Sequence, residues 1–202
     1  EIPSEIPFQT REPENFQAET VVSIFSGAEK IERRSFVARS GAARLTRFAV
    51  GEPAETARLE TADGKTLLLD PARKIYAETT AASPSAATVE GESLQSYLTI
   101  EWLNAKTGAT FENQGADGGL TKFLVRLNHA DTNEILIFYD EAAKIVVKQE
   151  FYARRGDERF LFYSFELRNL KLEADAGLFE APKNFAKVSL KEFEQSAWQE
   201  EQ

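Results

Sequence analysis

Four consecutive runs of β-branched and aromatic residues, between positions 120 and 167, constrain the fold of this chain most strongly. They cover residues 120–127, 134–139, 144–152 and 159–167, and short polar or glycine-containing segments separate them. Such runs, joined by such short connections, are typical of consecutive antiparallel strands. The sequence therefore predicts a four-stranded meander against which the rest of the chain packs.

Alternation within these runs predicts which sides of the meander are covered. In the third run, Ile145, Val147 and Phe151 are expected on one face, and the polar side chains of Lys148, Glu150 and Arg154 on the other. The fourth run has apolar residues on both of its faces. Phe160 and Phe162 are expected on one face, and Leu161, Tyr163, Phe165 and Leu167 on the other. A strand of this kind is usually covered on both sides.

The flanking segments predict more strands and one clear interior helix. Strands are expected at 15–26, 29–39, 43–50, 56–61, 65–70, 74–79, 109–113 and 185–190, with Asp63 and Gly64 forming a mirror-image hairpin turn. Leu94, Leu98 and Trp102 recur at helical spacing, which predicts a helix over 92–105 after a flexible loop at 80–88. Residues 115–119 are expected to be a loop, and 176–182 a turn or a single helical turn.

Charge and composition exclude several classes of function. The net charge of −9 disfavours binding to nucleic acid or to an anionic membrane surface. The absence of cysteine and methionine removes disulfides, thiol nucleophiles and sulfur ligands, and no run is long enough to be a transmembrane segment. The first residue is Glu1, which favours an exported chain whose signal peptide has been removed. Residues 1–14, with two Ile-Pro pairs, are expected to form an extended arm, either a tether or a disordered terminus.

No pattern of catalytic or metal-binding residues emerges. His129 is the single histidine and lies in a polar segment, where a solvated side chain is the usual outcome. Asp117, Asp131 and Asp140 follow no recognised ligand spacing, and residues 115–119 lack the lysine and serine or threonine of a phosphate loop. We therefore expect no cofactor, no metal and no enzymatic activity, and a hydrolase is the least favoured hypothesis.

The order of elements and two local motifs resemble the periplasmic lipoprotein-carrier superfamily, which includes LolA, LolB and the RseB sensor domain. One motif is residues 63–76, in which a short strand leads to an Asp70-Pro71 turn and a strand with Lys74 and Tyr76. The other is residues 176–185, with Leu178, Phe179 and Pro182 ahead of the last strand. The resemblance covers residues 15–190, taken as one domain, between the arm and a terminal helix at 191–202.

This resemblance implies a mainly β fold, a highly curved and unclosed antiparallel barrel of about eleven strands, with a helix packed on the concave face. It implies a cavity between sheet and helix that holds lipid or the acyl chains of lipoproteins. The lining residues would be Leu67, Leu69, Leu94, Leu98, Trp102, Phe123, Val125, Ile137, Val147, Phe151, Tyr163 and Phe165. Carriers of this family also use an interior arginine to hold the cavity closed, and Arg39, Arg44 and Arg47 are all candidates.

Two functions remain open at this point. The first is a periplasmic or otherwise exported carrier, with or without a lipid anchor at its N-terminus, whose partner is a lipid or an acylated protein. The second is a sensor or scaffold domain of the same fold that binds an envelope protein. Loop 80–90 and helix 92–105 would be the movable elements that open the cavity in the first case.

Overall fold

A computed structural model describes residues 5–79, 108–127 and 133–198. The strands are β1 (Asn15–Ser26), β2 (Glu29–Ser40), β3 (Ala43–Phe48), β4 (Thr56–Glu60), β5 (Thr66–Asp70), β6 (Ile75–Thr79), β7 (Ala109–Asp117), β8 (Leu120–Leu127), β9 (Asn133–Asp140), β10 (Ile145–Arg155), β11 (Glu158–Lys171) and β12 (Ala186–Lys187). A 3-10 helix, Ala176–Phe179, and an α-helix, α1 (Leu190–Trp198), follow the long strands. The predicted helical turn at 176–182 is thus present at 176–179. The terminal helix predicted over 191–202 is present as far as Trp198, and 199–202 lie outside the described residues.

The strands form one unclosed sheet in the order β12-β6-β5-β4-β3-β2-β1-β11-β10-β9-β8-β7. Within the described residues, β12 and β7 are its two edges. The predicted mainly β fold with an unclosed antiparallel sheet is confirmed. One strand departs from the pattern, because the two-residue β12 runs parallel to β6. The predicted strand at 185–190 is thus mostly irregular chain, and α1 begins at Leu190.

The chain divides into two compact units, each with its own apolar cluster. The first unit contains the N-terminal arm, the ends of β1 and β2 that meet at their turn, and β7 to β11 up to Arg168. The second contains the remaining parts of β1 and β2, strands β3 to β6, and the chain from Asn169 onwards. The single domain expected over 15–190 stays a prediction.

In the first unit, bulges in β10 and β11 change which of the predicted residues share a face. The register between β10 and β9 shifts between Val146 and Lys148, so Val147 is an extra residue. Val146 therefore lies on the same face as Phe151, while Ile145 lies on the opposite face. The strict alternation expected for this strand is wrong, because one inserted residue reverses every side chain before it.

The second bulge lies where β11 passes β10. Tyr163 pairs with Phe151 but Leu161 pairs with Tyr152, which makes Phe162 the extra residue. Phe160 consequently shares a face with Tyr163, and Leu161 lies on the other face. The side assignment predicted for Phe160 and Leu161 is reversed for the same physical reason.

In the second unit, the sheet of β3, β4 and β5 is covered on one face by the chain that follows β11. Leu45, Leu59, Leu67 and Leu69 form the buried cluster, and Leu178, Phe179 and Phe185 pack against it. Leu59 is 0% exposed. Leu178 and Phe179, of the motif at 176–185, thus cover this face of the sheet with apolar side chains. The backbone N–H of Asp175 donates to Gln17 Oε1 at 2.9 Å and so helps to position the covering segment.

Two local expectations are wrong. Strand β7 continues to Asp117 and so includes residues expected to form a loop, with a register shift between Asn113 and Gly115. The turn between β4 and β5 is not of the mirror-image two-residue type, which needs positive φ at both central residues. Gly64 has φ +83° but Asp63 has no positive φ, and Thr61 N–H closes the loop on Lys65 O at 2.8 Å.

Several expected features lie outside the described residues. They are the loop at 80–88, the helix at 92–105 with Leu94, Leu98 and Trp102, and the segment that carries His129 and Asp131.

Candidate functional site

The candidate site is the apolar face of β7 to β11 in the first unit, and strand register defines it. One row across the sheet runs Asn113, Phe123, Ile137, Gln149, Phe165, and the next runs Phe111, Val125, Ile135, Phe151, Tyr163. Residues that pair across antiparallel strands share a face. Eight of these ten side chains are aromatic or aliphatic, so five strands present one continuous apolar surface, which we call the apolar face.

Burial is uneven across the apolar face. Val125, Ile135 and Ile137 are at most 1% exposed, whereas Phe111, Phe151 and Tyr163 are only partly buried. Phe151 contacts Tyr163 edge to face, with ring centroids 5.2 Å apart. The centre is therefore packed like a core, and its margin offers accessible aromatic surface.

The N-terminal arm contributes Phe8 to the same face. Phe8 is 8% exposed, and its ring centroid lies 5.2 Å from that of Phe123 and 5.9 Å from those of Phe111 and Tyr139. Ile6 also packs against this cluster. An aromatic residue in a segment with no helix or strand thus covers part of the apolar face.

Six of the twelve predicted lining residues lie together on this face: Phe123, Val125, Ile137, Phe151, Tyr163 and Phe165. Val147 does not lie on this face, because it is the extra residue of the β10 bulge, and Val146 lies there instead. Leu67 and Leu69 lie in the second unit, where the chain after β11 covers them. Leu94, Leu98 and Trp102 fall outside the described residues.

Sequence reasoning missed other members of the face, namely Phe8, Phe111, Ile135, Tyr139 and Val146. A signal existed for two of them, because Ile135 and Tyr139 flank Ile137 at a spacing of two along one strand. None existed for Phe8, since the neighbouring prolines indicate an extended arm.

The opposite face of the same strands carries an ion-pair network centred on Glu134 of β9. The Glu134 side chain is only 10% exposed. Its carboxylate oxygens lie 3.4 Å from Arg126 Nε of β8, 3.2 Å from Arg154 Nη2 of β10 and 3.2 Å from Arg159 Nε of β11. Arg126 also contacts the exposed Glu112 of β7 at 2.8 Å and holds the pKa of that carboxyl below its usual range. One carboxylate therefore ties together β8 to β11, four of the five strands that present the apolar face.

Tyr152 belongs to the same polar side. The Arg159 guanidinium stacks over its ring at 3.7 Å, and its hydroxyl donates to Glu150 Oε2 at 2.7 Å. Burial first, and the hydrogen bond to Glu150 second, raise the pKa of Tyr152 to about 12. Its hydroxyl is therefore protonated near neutral pH and remains a hydrogen-bond donor.

The buried arginine of the second unit is Arg58 on β4. It is 9% exposed, and its Nη2 lies 2.8 Å from Glu60 Oε1. Of the three arginines considered from sequence, Arg47 pairs instead with Glu55 at 2.8 Å through its Nε, and Arg39 donates to Gly41 O at 3.0 Å. Within the described chain, Arg58 is thus the arginine with the most interior position.

The described carboxylates that were considered as metal ligands have structural roles. Asp140 Oδ1 accepts the backbone N–H groups of Ala142 and Ala143, both at 2.9 Å, and so forms the turn after β9. Asp117 pairs with Lys122, which lowers the pKa of Asp117. No group of three metal-ligating side chains occurs among residues 5–79, 108–127 and 133–198.

None of the helices in the described chain is both long and apolar enough to cross a membrane. No family model and no curated protein matches the sequence. Solved structures do match. MucB aligns at a TM-score of 0.54 and 11% identity, over 87% of this chain and 60% of the MucB chain. The complex of MucA and MucB from Pseudomonas aeruginosa aligns at 0.51 and 10% identity, over 87% of this chain and 58% of that chain.

The likeness shows a shared fold. It confirms, at the level of fold, the resemblance to the superfamily that includes the RseB sensor domain. A LolA superfamily protein from Nitrosomonas europaea also aligns, at a TM-score of 0.36, 12% identity, and 85% and 93% of the two chains. This chain spans only about 60% of MucB, so the likeness does not extend to the whole of that protein.

Proposed function

We propose that this protein is an exported, non-enzymatic binding protein that holds the acyl chain of a lipid or lipoprotein against the apolar face of β7 to β11. The supporting observation is the face itself, which spans five strands and has Phe111, Phe151 and Tyr163 partly exposed at its margin. Hydrophobic and aromatic side chains are the predominant lining of sites for small ligands.

The energetics suit a reversible carrier. Each methylene group moved from water to an apolar surface contributes about 0.8 kcal/mol. About fifteen enclosed carbons would contribute roughly 12 kcal/mol, and association costs at least about 4 kcal/mol. The remainder is at most about 8 kcal/mol, which corresponds to a dissociation constant no tighter than about 1 μM. A ligand held at that strength stays bound while the protein is at concentrations above that constant, and it passes to a stronger acceptor.

The alternative is a sensor or scaffold domain that binds an envelope protein, and one observation favours it. MucB, whose fold this chain shares, has been solved in a complex with MucA. Under this alternative the margin of the apolar face receives protein side chains in place of an acyl chain.

The proposed location is the periplasm or another exported compartment, with a lipid anchor at the N-terminus as one form of the protein. The shared fold with the carrier superfamily supports it. Fractionation of cells that express the full-length gene tests this part, since recovery of the protein in the cytosolic fraction would contradict it.

Native mass spectrometry after mild extraction distinguishes the two functions. Retention of an acyl-bearing species supports the carrier. A bare chain that copurifies in a stoichiometric complex with one envelope protein supports the alternative.

Palmitate titration against a fluorescent apolar probe locates the site, with Phe151→Glu as the test variant. Phe138→Glu is the matched control, because Phe138 lies one strand away on the opposite face, beneath Lys122 and Lys148. We expect at least a tenfold loss of palmitate affinity in Phe151→Glu and a change of less than about twofold in Phe138→Glu. Equal affinity in both folded variants would reject the apolar face as the site.

A further inference from the structure

The N-terminal arm occupies part of the surface to which the proposed function assigns the ligand. Phe8 lies against Phe123, whose ring centroid is 5.2 Å away, and Phe111 closes on Phe8 edge to face at 5.9 Å. Aromatic rings at these separations are in van der Waals contact. A hydrocarbon chain therefore cannot pass between Phe8 and Phe123 while the arm is in place.

The arm is joined to the sheet in a way that permits its removal. Residues 5–14 form neither helix nor strand, and β1 begins directly after them at Asn15. Pro7 and Pro13 lack the backbone N–H that a strand ladder would use. Ile6 and Phe8 hold residues 5–8 to the face through side chains, whereas the end of the arm is fixed where Glu14 O accepts the Gly41 N–H at 2.9 Å. Release of residues 5–8 therefore leaves the pairing of β7 to β11 intact.

The chemistry of the arm matches that of the proposed guest. Ile6 and Phe8 are apolar and face the cluster, whereas Glu5 and Gln9 are exposed. The segment thus presents an apolar side to the face and a polar side to water, as the chain and headgroup of an amphiphile would.

We propose that residues 5–8 are a displaceable internal ligand, which occupies the apolar face in the empty protein and leaves it when an acyl chain binds. This proposal rests on the proposed function and adds its regulation. The guest competes with Phe8 and Ile6 for the same surface, and guest binding exposes the arm.

Competition sets the size of the expected effect. Burial of the Phe8 side chain stabilises the form in which the arm is bound. The form with the arm released is then expected to make up only about one-tenth to one-hundredth of the molecules. The observed affinity for a guest is reduced by the fraction of molecules in the open form. Phe8→Ala is therefore expected to bind palmitate about 10- to 100-fold more tightly than the unmodified protein.

The test combines palmitate titration with a reporter at position 8. The proteins are the full chain, Phe8→Ala, Ile6→Ala and the control Ile31→Ala, an isoleucine of the same unit that is 56% exposed. In a parallel sample, 4-fluorophenylalanine replaces Phe8, and its ¹⁹F resonance is followed as palmitate is added. We expect tighter binding in Phe8→Ala and Ile6→Ala, no change in Ile31→Ala, and movement of the resonance to its position in the urea-unfolded chain.

The outcomes distinguish failure of the internal-ligand proposal from failure of the proposed acyl-chain binding. Palmitate that binds without moving the ¹⁹F resonance, or that binds Phe8→Ala no more tightly, overturns the internal ligand and leaves the binding function standing. Absence of palmitate binding in the full chain and in a folded Phe8→Ala variant overturns both. Binding seen only after the Phe8→Ala change supports the proposal most strongly.

Discussion

Replacing Glu134 by Gln tests whether one buried carboxylate holds β8 to β11 in register behind the apolar face. The change keeps the shape of the side chain and removes its charge. Glu134 is 10% exposed in its side chain, and its three arginine partners lie at 3.2–3.4 Å. Hydrogen bonds to a charged group each contribute about 1.5–3 kcal/mol, but these guanidinium groups are partly solvated and share one acceptor. We therefore expect a net loss of roughly 2–3 kcal/mol in the free energy of unfolding.

Glu112→Gln is the matched control. It removes a carboxylate from the same arginine, Arg126, at the shorter distance of 2.8 Å, but the Glu112 side chain is 56% exposed. Thermal unfolding followed by circular dichroism should show a fall in Tm of about 5–10 °C for Glu134→Gln and less than half of that for Glu112→Gln. The small effect of Glu112→Gln should vanish at high salt.

The comparison separates burial from distance as the cause of stabilisation. If distance alone decided the strength of these pairs, Glu112→Gln would be the more damaging change. Equal or reversed effects of the two variants would refute the conclusion that the buried carboxylate organises these strands.

Three further predictions follow from individual residues. Of the five tyrosines in the sequence, Tyr152 should titrate near pH 12 by absorbance at 295 nm, and Glu150→Gln should lower that pKa; a Tyr152→Phe variant with an unchanged curve would contradict the assignment. Because the folded-state pKa is raised, the stability contributed by Tyr152 is present below pH 10 and is lost as the pH rises towards 12. Leu59→Ala should cost about 2–5 kcal/mol in urea unfolding, whereas Leu172→Ala, at 48% exposure, should cost less than about 0.5. Gly64→Ala should cost about 1 kcal/mol because φ is +83° there, and an unchanged midpoint would argue against that turn.

The sequence predicted the strands well because hydrophobic alternation is a local property. Strand β8 was predicted with its exact bounds, and β9 and β10 to within three residues, since turn-forming residues lie at or near the ends of each run. The bulges at Val147 and Phe162 were not predictable in this way. An extra residue looks like ordinary strand sequence, and only pairing with a neighbour shows that the alternation has changed.

The candidate site was predicted in part for the same reason. Phe123, Val125 and Ile137 share one face, as their spacing indicated, because no bulge interrupts β8 or its pairing with β9. Phe8 was missed because its contacts are distant in sequence and its prolines favour an extended conformation.

The burial of Arg58 was not predicted, for a different reason. Arg58 sits between Ala57 and Leu59, a pattern that normally indicates a solvent-facing side chain. Arg58 pairs with Leu68 of β5, and all five residues of β5 (Thr66–Asp70) are buried. That run was a usable signal that the sheet of the second unit is covered on both faces.

Photo-crosslinking with a palmitate analogue that carries a diazirine in its acyl chain tests the central claim most directly. Peptide mapping of the adducts should place them on β7, β10 and β11, at or next to Phe111, Phe151 and Tyr163, and unlabelled palmitate should suppress them. Adducts confined to the second unit, or labelling that unlabelled palmitate does not reduce, would contradict a ligand site on the apolar face.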